Sequence, residues 1–153
     1  MLDLAEHTLS LDGVEVLVFA PLQMALYLFM CENSNTARGQ EPIDMLRDAF
    51  QYRDKIAECL QRCDVRNRKA EGLSALILPE TEWPEHWLKE GNNMSFSDSR
   101  NKNLGSALSR INKEFKKYGL SRSSFALRMQ DERKSSTSTR WVDIDPKRLR
   151  IVE

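Results

Sequence analysis

The sequence predicts a single α+β domain over residues 1–153, on three observations. Asp12-Gly13 sits between two β-rich runs near the start of the chain. Leu104, Ala107, Leu108, Ile111 and Phe115 recur at the period of a helix. After them, alternating apolar residues flank a polar loop and read as a second hairpin. The expected order is an N-terminal β-hairpin, three main helices and a C-terminal β-hairpin, with a long insertion-like connection at 64–98. At 153 residues, 41% of them hydrophobic, the chain is long enough to bury a core.

Each element has its own signal. Thr8 to Leu11 and Val14 to Val18 flank Asp-Gly, the dipeptide whose residues tolerate the positive φ of a tight hairpin turn. Pro21 opens a helix where its missing N–H does no harm. Leu22, Ala25, Leu26 and Phe29 give it a buried stripe, and Asn33-Ser34-Asn35 ends it. Thr36 to Gln40 is a polar loop. Pro42 is expected to open a second helix running to about Arg62, with Ile43, Leu46, Phe50, Ala57 and Leu60 inward and a break near Tyr52. Residues 64–98 carry mixed signals, with Ser95 to Ser99 loop-like. The clearest helix spans 102–117 and closes at Tyr118-Gly119. Phe125, Leu127 and Met129 alternate along a strand. Trp141, Val142 and Ile144 form the returning strand, Pro146 ends it, and Leu149, Ile151 and Val152 suggest a last extended piece.

Charge is distributed unevenly. The chain is neutral overall, with 23 basic and 23 acidic residues. Residues 100–153 hold 14 Lys and Arg against 6 Asp and Glu, a net of +8. Residues 1–99 carry the balancing −8. A basic third of this kind suits a polyanion, nucleic acid above all. The alternative is that the two parts neutralise each other within the fold.

On a helical wheel of 102–117 the apolar stripe takes one side. Lys102, Asn103, Ser106, Arg110, Lys113 and Lys117 fall on the other, with small Ser109 nearby. Arg grips guanine in bidentate fashion, Asn grips adenine, and Lys supplies charge for phosphates. Glu114 interrupts the pattern at its flank. The loop that follows carries Arg133, Lys134, five consecutive hydroxyl residues from Ser135 to Thr139, and Arg140. A basic helix beside a basic hairpin is what a winged helix-turn-helix offers DNA: the helix enters the major groove and the wing meets backbone or minor groove. A solvated amphipathic helix with an ordinary polar turn fits the same residues.

The chain resembles a known group in three stretches. "LSLDGVEVLVFAPLQMALYLFM" is similar to the opening strands and first helix of the response-regulator-type winged-helix effector domain. "NLGSALSRINKEFKKYGL" is similar to its recognition helix. "PLQMALYLF", "YRDKIAECL" and "NKNLGSALSRINKEF" also resemble uncharacterised bacterial winged-helix proteins. The resemblance implies DNA binding and transcription regulation, with Lys102, Ser106, Ser109, Arg110, Lys113 and Lys117 facing DNA and Arg133, Lys134 and Arg140 on the wing. The 64–98 connection is longer than the turn expected there. No receiver domain is read, so no phosphorelay input is expected.

Other classes find little support. His7 and His86 are isolated from each other and from the cysteines. Cys59 and Cys63 share a helix face but make half a metal site at best, and read as buried thiols. No G-x-S-x-G, H-E-x-x-H, P-loop or G-x-G-x-x-G is present. The expectation is no cofactor, no metal and no enzymatic activity, with a nucleic-acid-processing enzyme as the weakest option. Double-stranded DNA is the expected partner. Trp83 and Trp87 mark a surface for a homodimer or another protein, or else a minor core. A winged-helix module that binds protein without DNA is the alternative function. Three cysteines without framework spacing, no basic leader before Arg38 and no span of ~20 apolar residues point to the cytoplasm, with no membrane association.

Overall fold

Leu2, Leu9 and Leu17 organise the first sheet. They stand opposite one another on strands β1 (Leu2–Asp3), β2 (Thr8–Leu11) and β3 (Val14–Val18), and all three are fully buried. Burying one face of adjacent strands pins their register, because a slip of one residue would turn each leucine to solvent. The computed structural model describes residues 1–11, 14–48, 51–63, 96–129 and 139–153, and the backbone alone for 14–16, 46–47, 53 and 96–104. The Asp12-Gly13 turn, most of the 64–98 connection with Trp83 and Trp87, and the loop bearing Arg133 and Lys134 lie outside the described residues.

β2 and β3 pair antiparallel as the sequence predicts, with a bulge between Leu9 and Ser10. β1 was not expected. It follows from an aspartate-centred turn: Asp3 Oδ1 accepts from the backbone N–H groups of Ala5 and Glu6, both at 3.0 Å. That turn folds Leu2 back onto Leu9. The last strand, β7 (Ile151–Val152), adds parallel to β1, so the sheet order is β3-β2-β1-β7.

Helix α1 (Pro21–Asn33) starts at the proline, and Gln23 Oε1 accepts from the Ala20 N–H at 3.2 Å. The expected stripe understates its burial. Every residue from Met24 to Cys31 is buried, because α1 packs against both α3 (Arg53–Arg62) and α4 (Phe96–Lys117). A helix apolar all round belongs at the centre of a core.

Pro42 does not open a helix. Ile43 and Asp44 form strand β4, pairing with Arg140 and Thr139. The tertiary partner overrides the local proline signal. Helix α2 (Met45–Asp48) follows, then a turn at Gln51 and Tyr52, then α3. The break expected near Tyr52 is present. Ile43 and Leu60 are buried and Ala57 is half-buried, while Ile56, Cys59 and Cys63 complete the inward face.

Helix α4 begins at Phe96, earlier than expected, because serine and aspartate suit a helix start as well as a loop. It ends in a Schellman motif. Leu120 N–H reaches the Phe115 carbonyl at 2.8 Å, Gly119 N–H reaches Lys116 at 3.0 Å, and Gly119 takes φ of 70°. Phe125, Ala126 and Leu127 are then buried in succession, so the expected alternation fails there. Ser123 bends the chain instead: its carbonyl accepts from Ala126 N–H and its hydroxyl from Phe125 N–H. Only Arg128–Met129 form a strand, β5, which pairs antiparallel with β6 (Thr139–Trp141). The second sheet has the order β4-β6-β5.

Asn35 locks the end of α1 to the C-terminal segment. Its buried side chain donates to the Ile144 carbonyl at 2.8 Å and accepts from the Ile144 N–H at 3.0 Å. Ser34 Oγ donates toward the Glu41 and Arg140 carbonyls at 2.9 and 3.1 Å. These groups satisfy backbone atoms that would otherwise be stranded in the interior. The result is an α+β chain whose buried hydrophobic residues, among those described, form one cluster.

Candidate nucleic-acid interface

The face of α4 is set by what its other side buries. Ala107, Leu108, Ile111 and Phe115 are buried, with the Phe115 ring 6.1 Å from Phe19 and 5.8 Å from Tyr27. Helical geometry then turns Ser106, Ser109, Arg110, Lys113 and Lys117 outward, and all five are exposed. From Ser106 to Lys117 this face runs about 16 Å along the axis at 1.5 Å per residue. Asn112, at its margin, donates from Nδ2 to the Leu127 carbonyl at 3.2 Å and ties the helix to the segment entering β5.

Among the described residues, Arg110, Lys113 and Lys117 enter no ion pair. Arg62, in the last turn of α3, holds both Glu32 and Glu153. Lys117 Nζ lies 5.7 Å from the centre of the exposed Tyr118 ring, a cation–π contact that leaves its charge at the surface. Lys116 and Lys117 also oppose the negative end of the helix dipole. Lys102 and Asn103 stand on the same helix, where the backbone alone is described.

Arg140 requires a correction. It was expected on the wing, facing DNA, but is only 6% exposed. Residues 140, 142 and 144 share the inward side of the chain, and Val142 and Ile144 are buried with it. The pleat decides its direction, and the Arg133 and Lys134 of the neighbouring loop do not. Its Nη1 donates to the Thr139 carbonyl at 3.2 Å. Burial pulls its pKa down, and the Asp44 carboxylate on β4 pulls the other way. Two exposed cations take the surface instead. Arg128, which the sequence reading did not single out, leads out along β5 between buried Leu127 and half-buried Met129. Lys116 is exposed beside Lys117 but sits at the flank of the wheel.

The thiols offer no nucleophile. Burial pushes Cys31 and Cys59 up to about 12 and Cys63 up to about 11, whereas a free thiol ionises near 8.5. The thiolate is the reactive form. His7 spends its Nε2–H on the Cys63 carbonyl at 2.9 Å. Among the described residues no group of three or more His, Cys, Asp and Glu is placed to hold a metal. No described helix is long and apolar enough to cross a membrane.

Protonated buried thiols also set an alkaline limit. Above about pH 8.5 the unfolded chain loses thiol protons that the folded chain keeps. This stabilisation is therefore complete below that point and is lost as pH climbs toward the folded values. We expect the three cysteines to resist alkylation in the native protein at about pH 8 and to react together in denaturant. A rapidly labelled native thiol would contradict their burial.

Comparison of the chain with protein-family models, with curated proteins and with solved structures found no match.

Proposed function

We propose that this chain is a winged-helix protein that binds double-stranded DNA through α4 and the loop between β5 and β6. The carrying observation is the exposed face from Ser106 to Lys117, cationic and without ion pairs among the described residues, on a helix whose other side is anchored in the core. The order of elements supports the same reading. The hairpin that follows α4 docks its inner strand, β6, onto β4. The hydroxyl-rich segment 130–138, in which Asp131 and Glu132 balance Arg133 and Lys134, joins the paired strands β5 and β6. Arg128 and Lys116 extend the cationic surface, and Arg140 acts as a buried structural residue. The biological role that follows is transcription regulation, or site binding in mobile-element replication or transfer.

Docking on phosphates releases counterions, so affinity must fall with salt. Each phosphate neutralised contributes about −0.9 to the slope of log K against log salt. Contacts from Arg110, Lys113 and Lys117 alone give a slope of about −2.7 or steeper. Fluorescence anisotropy with a labelled duplex across a salt series measures it. A duplex that fails to bind at low salt would transfer the cationic face to an acidic protein partner.

A further inference from the structure

A polar cleft lies between strand β2 and the bend after α4. It has a volume of about 240 Å³ and is bounded by Met1, Ser10, Leu11, Ser123, Ser124, Phe125 and Arg148, with the Met1 ammonium donating to the Ser10 carbonyl at 2.6 Å. Its only charged side chain among the described lining residues is Arg148, and no carboxylate lines it among them. We propose that this cleft is an anion site that takes a phosphoryl group.

Three features carry the inference. Arg148 is exposed, and its guanidinium carbon stands 5.7 Å from the centre of the Phe125 ring. The ring is buried, and Tyr27 Oη donates to the Phe125 carbonyl at 2.6 Å from the core. A guanidinium resting on a buried ring loses less freedom on forming a bidentate contact, and that fork matches phosphate oxygens. The Ser123 hydroxyl already accepts from the Phe125 N–H at 3.2 Å, which leaves its proton to donate outward. Ser10, on β2, and Ser124, on the bend, are half-buried and also line the cleft. One guanidinium, the Met1 ammonium, three hydroxyls and no carboxylate among the described lining residues suit an anion with several acceptor oxygens.

The site stands independently of duplex binding by α4. Titration of ¹⁵N-labelled protein with inorganic phosphate at constant ionic strength tests it. Saturable amide shifts are expected at Ser10, Leu11, Ser123, Ser124 and Arg148. Arg148→Gln should weaken phosphate by about tenfold, the loss of one charge-assisted contact, with thermal stability retained because the side chain is exposed. Lys147→Gln, one residue away and also exposed, controls for net charge and should stay within about twofold of the parent. The same variants titrated with duplex DNA identify the source of the phosphoryl group. If Arg148→Gln also weakens the duplex, a backbone phosphate fills the cleft. If duplex affinity is unchanged, a small phosphorylated molecule does. Shifts confined to the α4 face, no saturable shift, or an Arg148→Gln variant that binds phosphate like the parent would overturn the site.

Discussion

Phe115→Ala is expected to lower folding stability by about 3–5 kcal/mol, measured by urea denaturation with an unchanged slope. Phe115 is fully buried and completes a three-ring cluster, with Phe19 and Tyr27 themselves 5.4 Å apart. Removing its ring leaves a cavity where α4 meets α1 and β3. The consequence reaches the surface, since the same residue accepts the Leu120 N–H that closes α4 and its burial fixes which side of the helix faces out. A domain of this size is stable by about 5–15 kcal/mol in total, so the loss is a large share. A change below about 1 kcal/mol would mean that α4 is not seated in this core.

Reversing two charges should have the opposite profile. The double substitution Arg110→Glu plus Lys113→Glu is expected to reduce duplex affinity by about a hundredfold or more at low salt, and to reduce the salt slope by about 2 in magnitude. Its melting temperature should stay within about 2 °C of the parent, because both side chains are exposed and form no ion pair among the described residues. The pairing of lost binding with an intact fold separates an interface from a structural face. If the variant binds duplex like its parent, the α4 face is not the contact surface. If it binds no duplex and also melts early, these charges have a folding role that the structure does not show.

The sequence carried the parts of the fold that local physics decides. Asp-Gly between β-rich runs marked β2 and β3, Pro21 marked the start of α1, and the period of Ala107, Leu108, Ile111 and Phe115 marked α4. It lost the parts that depend on distant partners. Ile43 and Asp44 become a strand only because residues 139–140, nearly a hundred positions later, supply the pairing. β1 exists because Asp3 caps its own turn and the chain's last strand adds beside it. The complete burial of α1 follows from neighbours on several sides, which a stripe of Leu22, Ala25, Leu26 and Phe29 does not reveal. At the candidate site, helical spacing correctly turned Ser106, Ser109, Arg110, Lys113 and Lys117 outward. Arg140 departs from the expectation because the strand's pleat, and not its charge, sets its direction. The period-2 rule applied from Val142 and Ile144 places 140 inside.

The most direct test of duplex recognition is a chemical-shift map of the ¹⁵N-labelled protein titrated with a short duplex selected from a random pool. Duplex binding by α4 should perturb a continuous stripe of amides through Ser106, Ser109, Arg110, Lys113 and Lys117, reaching Arg128 at the base of the hairpin. Perturbations that leave α4 untouched and gather on the acidic side around Asp54 and Glu58 would contradict it.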